Sequence, residues 1–586
     1  MAILNPEQIK AIEYDGSVLL RACPGSGKTL VLTHKLAYEL GRLDALSKKR
    51  VIAVTFTIRA ADEIEKRLCR MGVRDKRAWS GTLHSFCLEW IAKPYSSYIP
   101  HLRNGFNIAD EIYCLKLMDS LKKKHKLQKA PSQRLNRDGS FVEEGTKERI
   151  LLKEYHCILL SNKYIDFDML LLYSYQILTK YPKISVVLAH MFRIICVDEY
   201  QDTQCLLYAI ISSIVVAGGG CTSIFLVGDA DQAIYGSLGG VAKSYEEIQQ
   251  EFNPISIESL TLSGNYRSTQ RIIDFNTNYQ TSKISIKAVG INANEKGIVS
   301  YNHRVGASDL SREIAEIIRH NLDRGVMQNE ICVLVPQWWM VSRITKQLRS
   351  LLPNVDFDAS GLAQLFRNRD NVWFKFSRLL LTQPSARLYA VRYKWAREFI
   401  DSLRMHIGIV IDSDFREERR MLRIVNSIKS SKLDIVDFYQ DCIHQFLTLE
   451  QIGITDYPLL ADALDRFISN LQEKLNATTD PLPNEVEYFR SLYKEKKGVV
   501  INTCMGIKGE EFDTVISCGL LRGYVPHWEE IFAGKELESS KKLLYVVCSR
   551  ARLNLYLISE TGRQQRNGTH LEPTRELIGC EFQYDV

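Results

Sequence analysis

Short runs of apolar residues, each followed by polar or glycine-rich residues, predict the buried strands of a parallel sheet. Four such runs lie in the first part of the chain, at residues 17–20, 51–56, 193–197 and 223–227. A charged segment at 59–68 follows the second run and has the composition of a helix. Because strands that alternate with helices form βαβ units, these runs predict one α/β domain.

The same pattern returns after residue 266. Strand-like runs occur at 331–335, 498–502, 514–518 and 553–558. They indicate a second α/β domain.

A long interval rich in helix formers interrupts each group of runs. In the second interval, helical spacing is clear at 373–381 and 462–475, and a loop at 478–484 contains Pro481 and Pro483. The predicted fold class is therefore α/β, with two parallel sheets that are each interrupted by a mainly helical insertion. The predicted bounds are 1–88 and 190–268 for the first sheet domain, 89–189 for its insertion, 269–369 and 496–586 for the second sheet domain, and 370–495 for its insertion.

Composition narrows the class of protein. The chain has 586 residues, 45% hydrophobic and 25% charged, which is typical of a globular protein. No run of about 18 uncharged apolar residues occurs, and the first ten residues lack the apolar core of a signal peptide. We therefore expect a soluble cytoplasmic protein with no membrane partner. The fourteen cysteines form no CxxC pair, so we expect reduced thiols.

A phosphate-binding loop is predicted directly after the first apolar run. Its glycines let backbone N–H groups turn inward, and the helix that follows adds a positive dipole. Lys28 is expected to reach the β- and γ-phosphate oxygens, and Thr29 to offer its hydroxyl to Mg²⁺. The predicted nucleotide-binding residues of this loop are Ala22, Cys23, Pro24, Gly25, Ser26, Gly27, Lys28 and Thr29.

Two acidic residues follow the apolar run at 193–197. Asp198 is predicted to hold Mg²⁺, and Glu199 to orient and deprotonate the attacking water. A second polar cluster, residues 228–232, follows the next run. Ligands of open α/β sheets bind at the carboxyl ends of the strands, so both clusters are candidate site residues.

Nine short segments occur in the order found in the UvrD/Rep-type superfamily 1 DNA helicases, and the chain resembles that family from residue 4 to about residue 558. The segments are residues 4–8, 22–29, 55–61, 81–86, 198–203, 228–235, 265–269, 506–513 and 544–551. The resemblance implies two RecA-like P-loop NTPase domains with ATP between them. It also implies an ATP- and Mg²⁺-dependent helicase that moves 3′→5′ on single-stranded DNA and acts at junctions with duplex.

The resemblance also assigns roles to residues outside the loop. Gln8 matches the residue that binds the adenine edge, Tyr266 the one that stacks on the base, and Glu511 a position near the ribose. Arg267 and Arg550 match the arginines that reach the γ-phosphate, where guanidinium groups neutralise the transition state as the cleft closes.

Gln232 matches the residue that links the γ-phosphate to the elements that bind the strand. Single-strand binding needs aromatic faces for base stacking and polar groups for phosphates. The positions that match the strand contacts of the family are Thr55, Phe56, Thr57, Thr82, His84 and Tyr235.

Some residues depart from the family pattern. Ala22 replaces the first glycine of the loop, and Leu30 replaces an arginine that helps to hold the adenine. Ser237 and Leu238 replace an aromatic residue followed by arginine, which bears on a base-stacking wedge. The stretch 361–381, with Phe366, Arg369 and Asp370, resembles the segment that leads to the second insertion.

A basic run lies in the first insertion. Residues 122–137 contain no acidic residue, and their seven basic residues carry a charge equal to the net charge of the whole chain, +7. These residues are Lys122, Lys123, Lys124, Lys126, Lys129, Arg134 and Arg137. Such a run is either a solvated face or a patch that contacts duplex DNA. Both interpretations stay open at this stage.

Two alternative functions stay open as well. One is a DNA-dependent ATPase subunit with little unwinding that works with a separate nuclease, as in Gabija-type antiphage systems. The altered step at 237–238, the short second insertion and the lack of a nuclease motif motivate it. The other is a motor on RNA, because the predicted strand contacts do not read the 2′-hydroxyl. Either DNA repair or antiviral defence is compatible with the pattern.

Overall fold

The computed structural model describes residues 4–585 apart from 74, 144, 237–238, 283, 360–370, 386–387, 408–414, 478–481, 494–496 and 566–567. Ser237, Leu238, Phe366, Arg369, Asp370 and Pro481, which the sequence analysis singled out, lie outside the described residues.

Sixteen strands occur in the described part of the chain. In order they are β1 Ser17–Ala22, β2 Arg50–Thr55, β3 Ala78–Thr82, β4 Asn107–Ile108, β5 Tyr164–Ile165, β6 Phe192–Asp198, β7 Ser223–Gly228, β8 Ile257–Leu262, β9 Gly264–Asn265, β10 Lys287–Ala288, β11 Ile298–Asn302, β12 Ile331–Val335, β13 Phe357–Ala359, β14 Val499–Thr503, β15 Phe512–Ser517 and β16 Ala551–Ile558.

The α-helices of the first half, again in order, are α1 Pro6–Glu13, α2 Lys28–Gly41, α3 Ile58–Arg70, α4 Leu83–Phe86, α5 Glu111–Lys124, α6 Thr146–Ser161, α7 Phe167–Lys180, α8 Pro182–Met191, α9 Cys205–Ala217, α10 Tyr245–Glu251 and α11 Gln270–Thr277. Those of the second half are α12 Leu310–Asp323, α13 Trp338–Leu351, α14 Val372–Leu381, α15 Tyr389–Ile407, α16 Phe415–Ser427, α17 Ile435–Leu449, α18 Pro458–Leu475, α19 Val486–Ser491, α20 Trp528–Phe532, α21 Glu536–Cys548 and α22 Arg575–Ile578.

The first sheet has six strands in the order β3-β2-β6-β7-β1-β8, and every neighbouring pair is parallel. Its four inner strands are the four that the apolar runs predict. The edge strands β3 and β8 are not predicted, because β3 has the sequence AWSGT and β8 alternates apolar and polar residues. An edge strand needs no continuous apolar run.

The second sheet also has six parallel strands, in the order β11-β16-β15-β12-β14-β13. The two faces of β12 alternate as expected for a buried strand: Ile331, Val333 and Val335 pack with α12 and α13, whereas Cys332 and Leu334 pack with α11 and α21. The α/β fold class with two parallel sheets is therefore confirmed.

Both sheets belong to one compact unit, formed by residues 1–86, 178–360 and 496–586. Residues 87–177 and 361–495 form a second compact unit. The four-part division predicted from the sequence stays a prediction.

The second unit is mainly helical, and α14 and α18 extend over the predicted helices at 373–381 and 462–475. Trp373 is fully buried in the core formed by α14 to α19. Arg466 on α18 joins the two chain segments of this unit, since its Nε donates to Asp110 Oδ2 at 3.1 Å.

All fourteen cysteines lie among the described residues, and none is in a disulfide, which agrees with the expected reduced thiols. None of the described helices combines the length and the apolar character that a bilayer crossing requires.

Candidate functional site

The loop between β1 and α2, residues 23–27, has backbone geometry that requires glycine at two positions. Gly25 and Gly27 have φ angles of 69° and 83°, in the left-handed region that residues with a Cβ rarely adopt. A Cβ at Gly25 would also lie 2.7 Å from both Asn265 Oδ1 and Arg267 Cβ. At Gly25, a larger residue is excluded both by the backbone conformation and by the lack of space for a side chain.

The residues of this loop contribute in different ways. Pro24 has no N–H, and the Cys23 N–H donates to Leu262 O at 3.2 Å, so neither offers a donor to a ligand. The Ser26 hydroxyl closes the turn by donating to Cys23 O at 2.7 Å. Lys28 and Thr29 begin α2, where the first N–H groups of a helix lack internal acceptors and attract anions. The arrangement is suited to binding phosphate.

Gln8 and Tyr266, predicted to bind the base, lie against the same loop. Gln8 Nε2 donates to Ser26 O at 3.0 Å, and the Tyr266 N–H donates to Gly25 O at 2.9 Å. Asn5 ties the two together, because it forms a capping box with Gln8 and its Nδ2 donates to the Tyr266 hydroxyl at 2.8 Å. Tyr266 is 37% exposed, so part of its ring is open to a ligand.

The acidic pair lies at the carboxyl end of β6. Asp198 is buried, and burial together with the charge of Glu199 raises its pKa to about 7. Burial alone would raise the pKa of Glu199 as well, but Lys28, Lys508 and a hydrogen bond from Gln201 hold it below its usual value. Glu199 has a φ of 52°. Such backbone strain in a non-glycine residue is frequent at functional sites.

Asp198 has the features of a cation ligand. Its buried Oδ1 accepts no hydrogen bond from any described residue, which is costly unless a cation or water satisfies it. No three His, Cys, Asp or Glu side chains are grouped for metal binding in the described ranges. Mg²⁺ commonly takes one or two carboxylates and fills its remaining positions with water, hydroxyl and phosphate oxygens. Asp198 and the Thr29 hydroxyl fit that set of donors.

Gln232 connects the two sheets at this site. Its Nε2 donates to Asp229 Oδ2 at 2.7 Å, and its Oε1 accepts from Arg550 Nη2 at 2.9 Å. Arg550 is only 2% exposed and hydrogen-bonds no carboxylate of the described residues; Nη2 also donates to Ser549 Oγ at 2.8 Å. Burial and the nearby charge of Arg267 lower the pKa of Arg550 to about 9. An anion bound beside it would relieve both effects.

Arg267 differs from Arg550 in having a counter-charge. Its Nε donates to Glu511 Oε2 at 2.5 Å, and its Nη1 donates to Ser549 O at 2.8 Å. Although burial raises the pKa of Glu511, Arg267 and Arg552 bring it below the usual value. Of the two predicted arginines, Arg550 is therefore the one without a direct ion pair among the described residues, although the charges of Glu199, Glu511 and Asp229 oppose the lowering of its pKa.

Lys508 is a site residue to which the sequence interpretation assigned no role. Its Nζ donates to Asp202 Oδ2 and to Gln232 O, both at 2.6 Å, and lies 5.0 Å from the centre of the Tyr235 ring. The ion pair joins the two sheet regions and is almost fully buried. The available signal was a lysine in a glycine-containing segment, residues 506–509, shortly after an apolar run.

Phe56 and Tyr235, both predicted to contact the strand, stack on each other. Their ring centres are 4.9 Å apart and their planes differ by 23°. The Tyr235 hydroxyl donates to Met505 O at 3.0 Å, which anchors that ring. Phe56 is 40% exposed, so its ring is the part of the pair open to a base.

The other predicted strand contacts are held by local structure. The Thr55 hydroxyl is buried and donates to Thr57 O at 2.8 Å, while the Thr57 hydroxyl caps α3. Thr82 Oγ1 accepts from the Ser85 N–H at 3.2 Å. Burial lowers the pKa of His84 to about 4, so its ring is neutral at pH 7 and brings no positive charge to a phosphate.

Two exposed aromatic residues at the second sheet were not singled out by the sequence interpretation. Trp338 and Trp339 directly follow β12 and the turn after it, much as Phe56 directly follows β2. Both are about half exposed, at 47% and 48%. Two adjacent tryptophans after a buried strand were a visible signal.

Comparison with known proteins gives concordant matches along the chain. Residues 4–253 match the model of the UvrD/Rep helicase N-terminal domain, and residues 485–562 match that of the UvrD-like helicase C-terminal domain. Together the two matches span more than half of the chain.

Similar whole proteins are named ATP-dependent DNA helicase PcrA. The protein from Bacillus subtilis (strain 168) is 25% identical, over 98% of this chain and 85% of its own length. Those from Staphylococcus epidermidis (strain ATCC 12228 / FDA PCI 1200) and Staphylococcus aureus (strain NCTC 8325 / PS 47) are each 24% identical over 96% of this chain, and the matches cover 85% and 83% of those proteins.

Proposed function

The chain belongs to the UvrD/Rep-type superfamily 1 helicases, and we propose that it is an ATP- and Mg²⁺-dependent motor that moves 3′→5′ on single-stranded DNA and separates duplex at junctions. The observation that carries the proposal is the hydrogen bond between Gln232 and Arg550, which joins the two sheet regions beside the phosphate-binding loop. The relatives named as ATP-dependent DNA helicases support the choice of ATP and DNA.

In this proposal the nucleotide binds across the first loop. Gln8 and Tyr266 hold the base, and Lys28 contacts the β- and γ-phosphate oxygens. Mg²⁺ held by Thr29 and Asp198 would neutralise phosphate charge. Glu199 is ionised at neutral pH, since its pKa lies below the usual value, and it orients the attacking water and accepts its proton.

Arg550 has the role of stabilising the transition state. Its guanidinium hydrogen-bonds no carboxylate of the described residues, so its donors are available to the γ-phosphoryl oxygens when they gain negative charge. Arg267 keeps its charge paired with Glu511, and its Cβ lies close to Gly25. Hydrolysis then depends on both sheet regions being close together.

A short series of contacts supports coupling between hydrolysis and the DNA strand. Gln232 contacts Arg550 through its side chain and Lys508 through its carbonyl oxygen. Lys508 lies over the ring of Tyr235, which stacks on Phe56. In this proposal a change at the γ-phosphate would reach the aromatic pair through three neighbouring residues, Arg550, Gln232 and Lys508.

The proposal is tested by measuring ATPase activity and strand displacement on the same preparation. We expect single-stranded DNA to stimulate hydrolysis, and a 3′-tailed duplex to be separated faster than a 5′-tailed one. The Lys28→Ala variant is the negative control. Absence of DNA-stimulated hydrolysis in the intact protein would overturn the proposal.

The same assays separate the two alternatives. Hydrolysis without displacement of any tailed duplex would favour the subunit that works with a separate nuclease. Equal stimulation by matched RNA and DNA oligonucleotides would favour an RNA motor. The relatives, all named DNA helicases, favour neither alternative.

Replacing Phe56 with alanine is expected to weaken binding of single-stranded DNA by about 1–3 kcal/mol, the usual contribution of one stacked base. The exposed face of Phe56 would be lost, while Tyr235 keeps its anchor on Met505. Fluorescence anisotropy with a labelled oligonucleotide measures the change.

Phe532→Ala is the matched control, because Phe532 is a strongly exposed phenylalanine outside the predicted site. It should leave the affinity unchanged. Equal affinities of the Phe56→Ala variant and the wild-type protein would remove Phe56 from the strand site.

The basic run of the first insertion is only partly neutralised. Lys122 and Lys124 each lie in an ion pair, at 3.3 and 2.5 Å from an acidic residue. Lys123 and Lys126 are exposed and have no ion-pair partner among the described residues. About two lysines are therefore free to neutralise phosphates.

Changing Lys122, Lys123, Lys124 and Lys126 to glutamine is expected to weaken binding of duplex-containing DNA and leave ATPase activity without DNA unchanged. If two phosphates lose their lysine partners, the plot of the logarithm of the binding constant against the logarithm of the salt concentration becomes shallower by about 2. Binding titrations over a range of KCl concentrations measure this slope. An unchanged affinity and slope would identify the run as a solvated surface.

A further inference from the structure

The second insertion contains a pocket of about 890 Å³. It lies beside α15 and α16, and much of its wall is apolar, with Leu422 and the half-exposed ring of Tyr389 among the lining residues. Pockets that bury small ligands commonly have volumes of about 300–1,000 Å³. The space is sufficient for a nucleotide.

Three arginines line this pocket: Arg392 on α15, and Arg419 and Arg423 on α16. Arg419 and Arg423 are exposed and lie one helical turn apart on the same face of α16. In the described ranges, neither has a hydrogen-bond or ion-pair partner, and no carboxylate lines the pocket. The pocket therefore combines an apolar wall with unmatched positive charge.

Two other charged residues of α16 whose side chains the structure describes are matched. Glu418 pairs with Arg397 at 2.9 Å, and Arg420 pairs with Glu450 at 2.8 Å. Arg419 and Arg423 are thus the described arginines of this helix left for a ligand.

Arg392 adds a buried charge to the same wall. Its Nη1 donates to Leu379 O at 2.8 Å and to Thr382 Oγ1 at 2.5 Å, and its Nη2 donates to Asn426 Oδ1 at 2.6 Å. All these partners are neutral, and burial lowers the pKa of Arg392. A buried charge without a counter-ion is costly. An anion in the pocket would supply the missing counter-charge.

We propose that this pocket binds one nucleoside phosphate, with the phosphate on Arg419 and Arg423 and the base against Tyr389. Guanidinium groups bind phosphate oxygens in pairs, and a tyrosine ring stacks on any base. The nucleoside phosphate is either a free nucleotide or one unit of a DNA strand. The proposal does not rest on motor activity.

The test uses the full chain and the Arg419→Ala/Arg423→Ala double variant, whose changes are at exposed positions. Arg420→Ala is the matched control, because it removes an exposed arginine of the same helix that does not line the pocket. Calorimetric titration with thymidine 5′-monophosphate tests the free nucleotide. Anisotropy with a labelled oligothymidylate at several salt concentrations tests the strand.

If the pocket binds a free nucleotide, the affinity of the double variant for the monophosphate should fall by about tenfold or more, whereas the Arg420→Ala variant should keep the wild-type affinity. If the source is a strand, the double variant binds the oligonucleotide about tenfold more weakly, with a salt slope lower by about 1.4. The Tyr389→Ala change should weaken binding of the same ligand without changing the salt dependence of that binding. Either result supports the pocket. The proposal is overturned if the double variant binds both probes like the wild-type protein, or if Arg420→Ala weakens binding equally.

Discussion

Replacing Arg550 with alanine is expected to lower kcat for ATP hydrolysis by about 10³-fold and to change the affinity for ATP little. Arg550 is buried beside Gln232 and hydrogen-bonds no carboxylate of the described residues, so in the proposed mechanism its guanidinium would stabilise the transition state. Arginines that act on a transferring phosphoryl group contribute about 10³–10⁵ to kcat. Steady-state kinetics, together with binding of a fluorescent ATP analogue, separates kcat from affinity.

Two further variants test this prediction: Arg550→Lys is the conservative change, and Arg271→Ala is the control. Lysine keeps the charge but loses the planar pair of donors, so it should restore only part of the activity. Arg271, which pairs with Asp585 on the same sheet domain, should affect kcat little. Thermal unfolding of each variant shows whether the buried substitution also destabilises the fold. A folded Arg550→Ala variant with a kcat within about threefold of wild type would exclude the transition-state role.

Replacing Lys508 with alanine is expected to destabilise the unit that contains both sheets, and to do so much more at high pH than at low pH. Burial raises the pKa of Asp202 to about 7 even with Lys508 beside it, whereas the carboxyl of an unfolded chain has its ordinary pKa near 3.8. Folded Asp202 is therefore protonated at about pH 5.5 and ionised at about pH 8.5.

The sign of the pH dependence follows from these two states. An acid whose pKa is raised in the folded state takes up a proton on folding, so stability falls as the pH rises from the unfolded pKa to the folded one. Without Lys508 the pKa of Asp202 in the folded state rises further, so the stability of the protein continues to fall up to a higher pH. The substitution should cost about 3–5 kcal/mol at about pH 8.5, the usual effect of breaking a buried pair, and much less at about pH 5.5.

Differential scanning calorimetry at the two pH values measures the effect as a change in Tm. Arg59→Ala is the matched control, because Arg59 pairs with Glu510 across the same two sheet regions but is 72% exposed. Exposed pairs contribute about 0–1 kcal/mol, so this variant should differ little from wild type at either pH. Equal destabilisation of the Lys508→Ala variant at both pH values would show that Asp202 does not titrate as described.

The sequence pattern identified the interior of both sheets and missed their edges. In each sheet the four inner strands are the four predicted from apolar runs, and β3, β8, β11 and β13 are the edge strands that were not predicted. Inner strands of a parallel sheet are covered on both faces, so apolar side chains run along them without interruption. Edge strands are less covered and carry no such signal.

The candidate site residues were predicted from the chain in a similar way, and their roles stay predictions. Short ordered segments located the phosphate-binding loop, the carboxylates after β6 and both arginines, because each role needs a particular side chain at a particular distance from a strand end. Lys508 was assigned no role, since no local pattern shows that residues 202 and 508 are neighbours. The tryptophan pair after β12 was not singled out, although it is visible in the sequence.

Residue order along the chain was thus sufficient to assign the family, the α/β fold class and most of the candidate residues. It could not tell Arg267 from Arg550, which carry the same charge and the same expected role. Folding brings Glu511 to Arg267 and leaves Arg550 beside a neutral amide, 318 residues away in sequence. Burial and pKa depend on neighbours in space, so the proposed division of roles between the two arginines follows only from the packing of the two sheets.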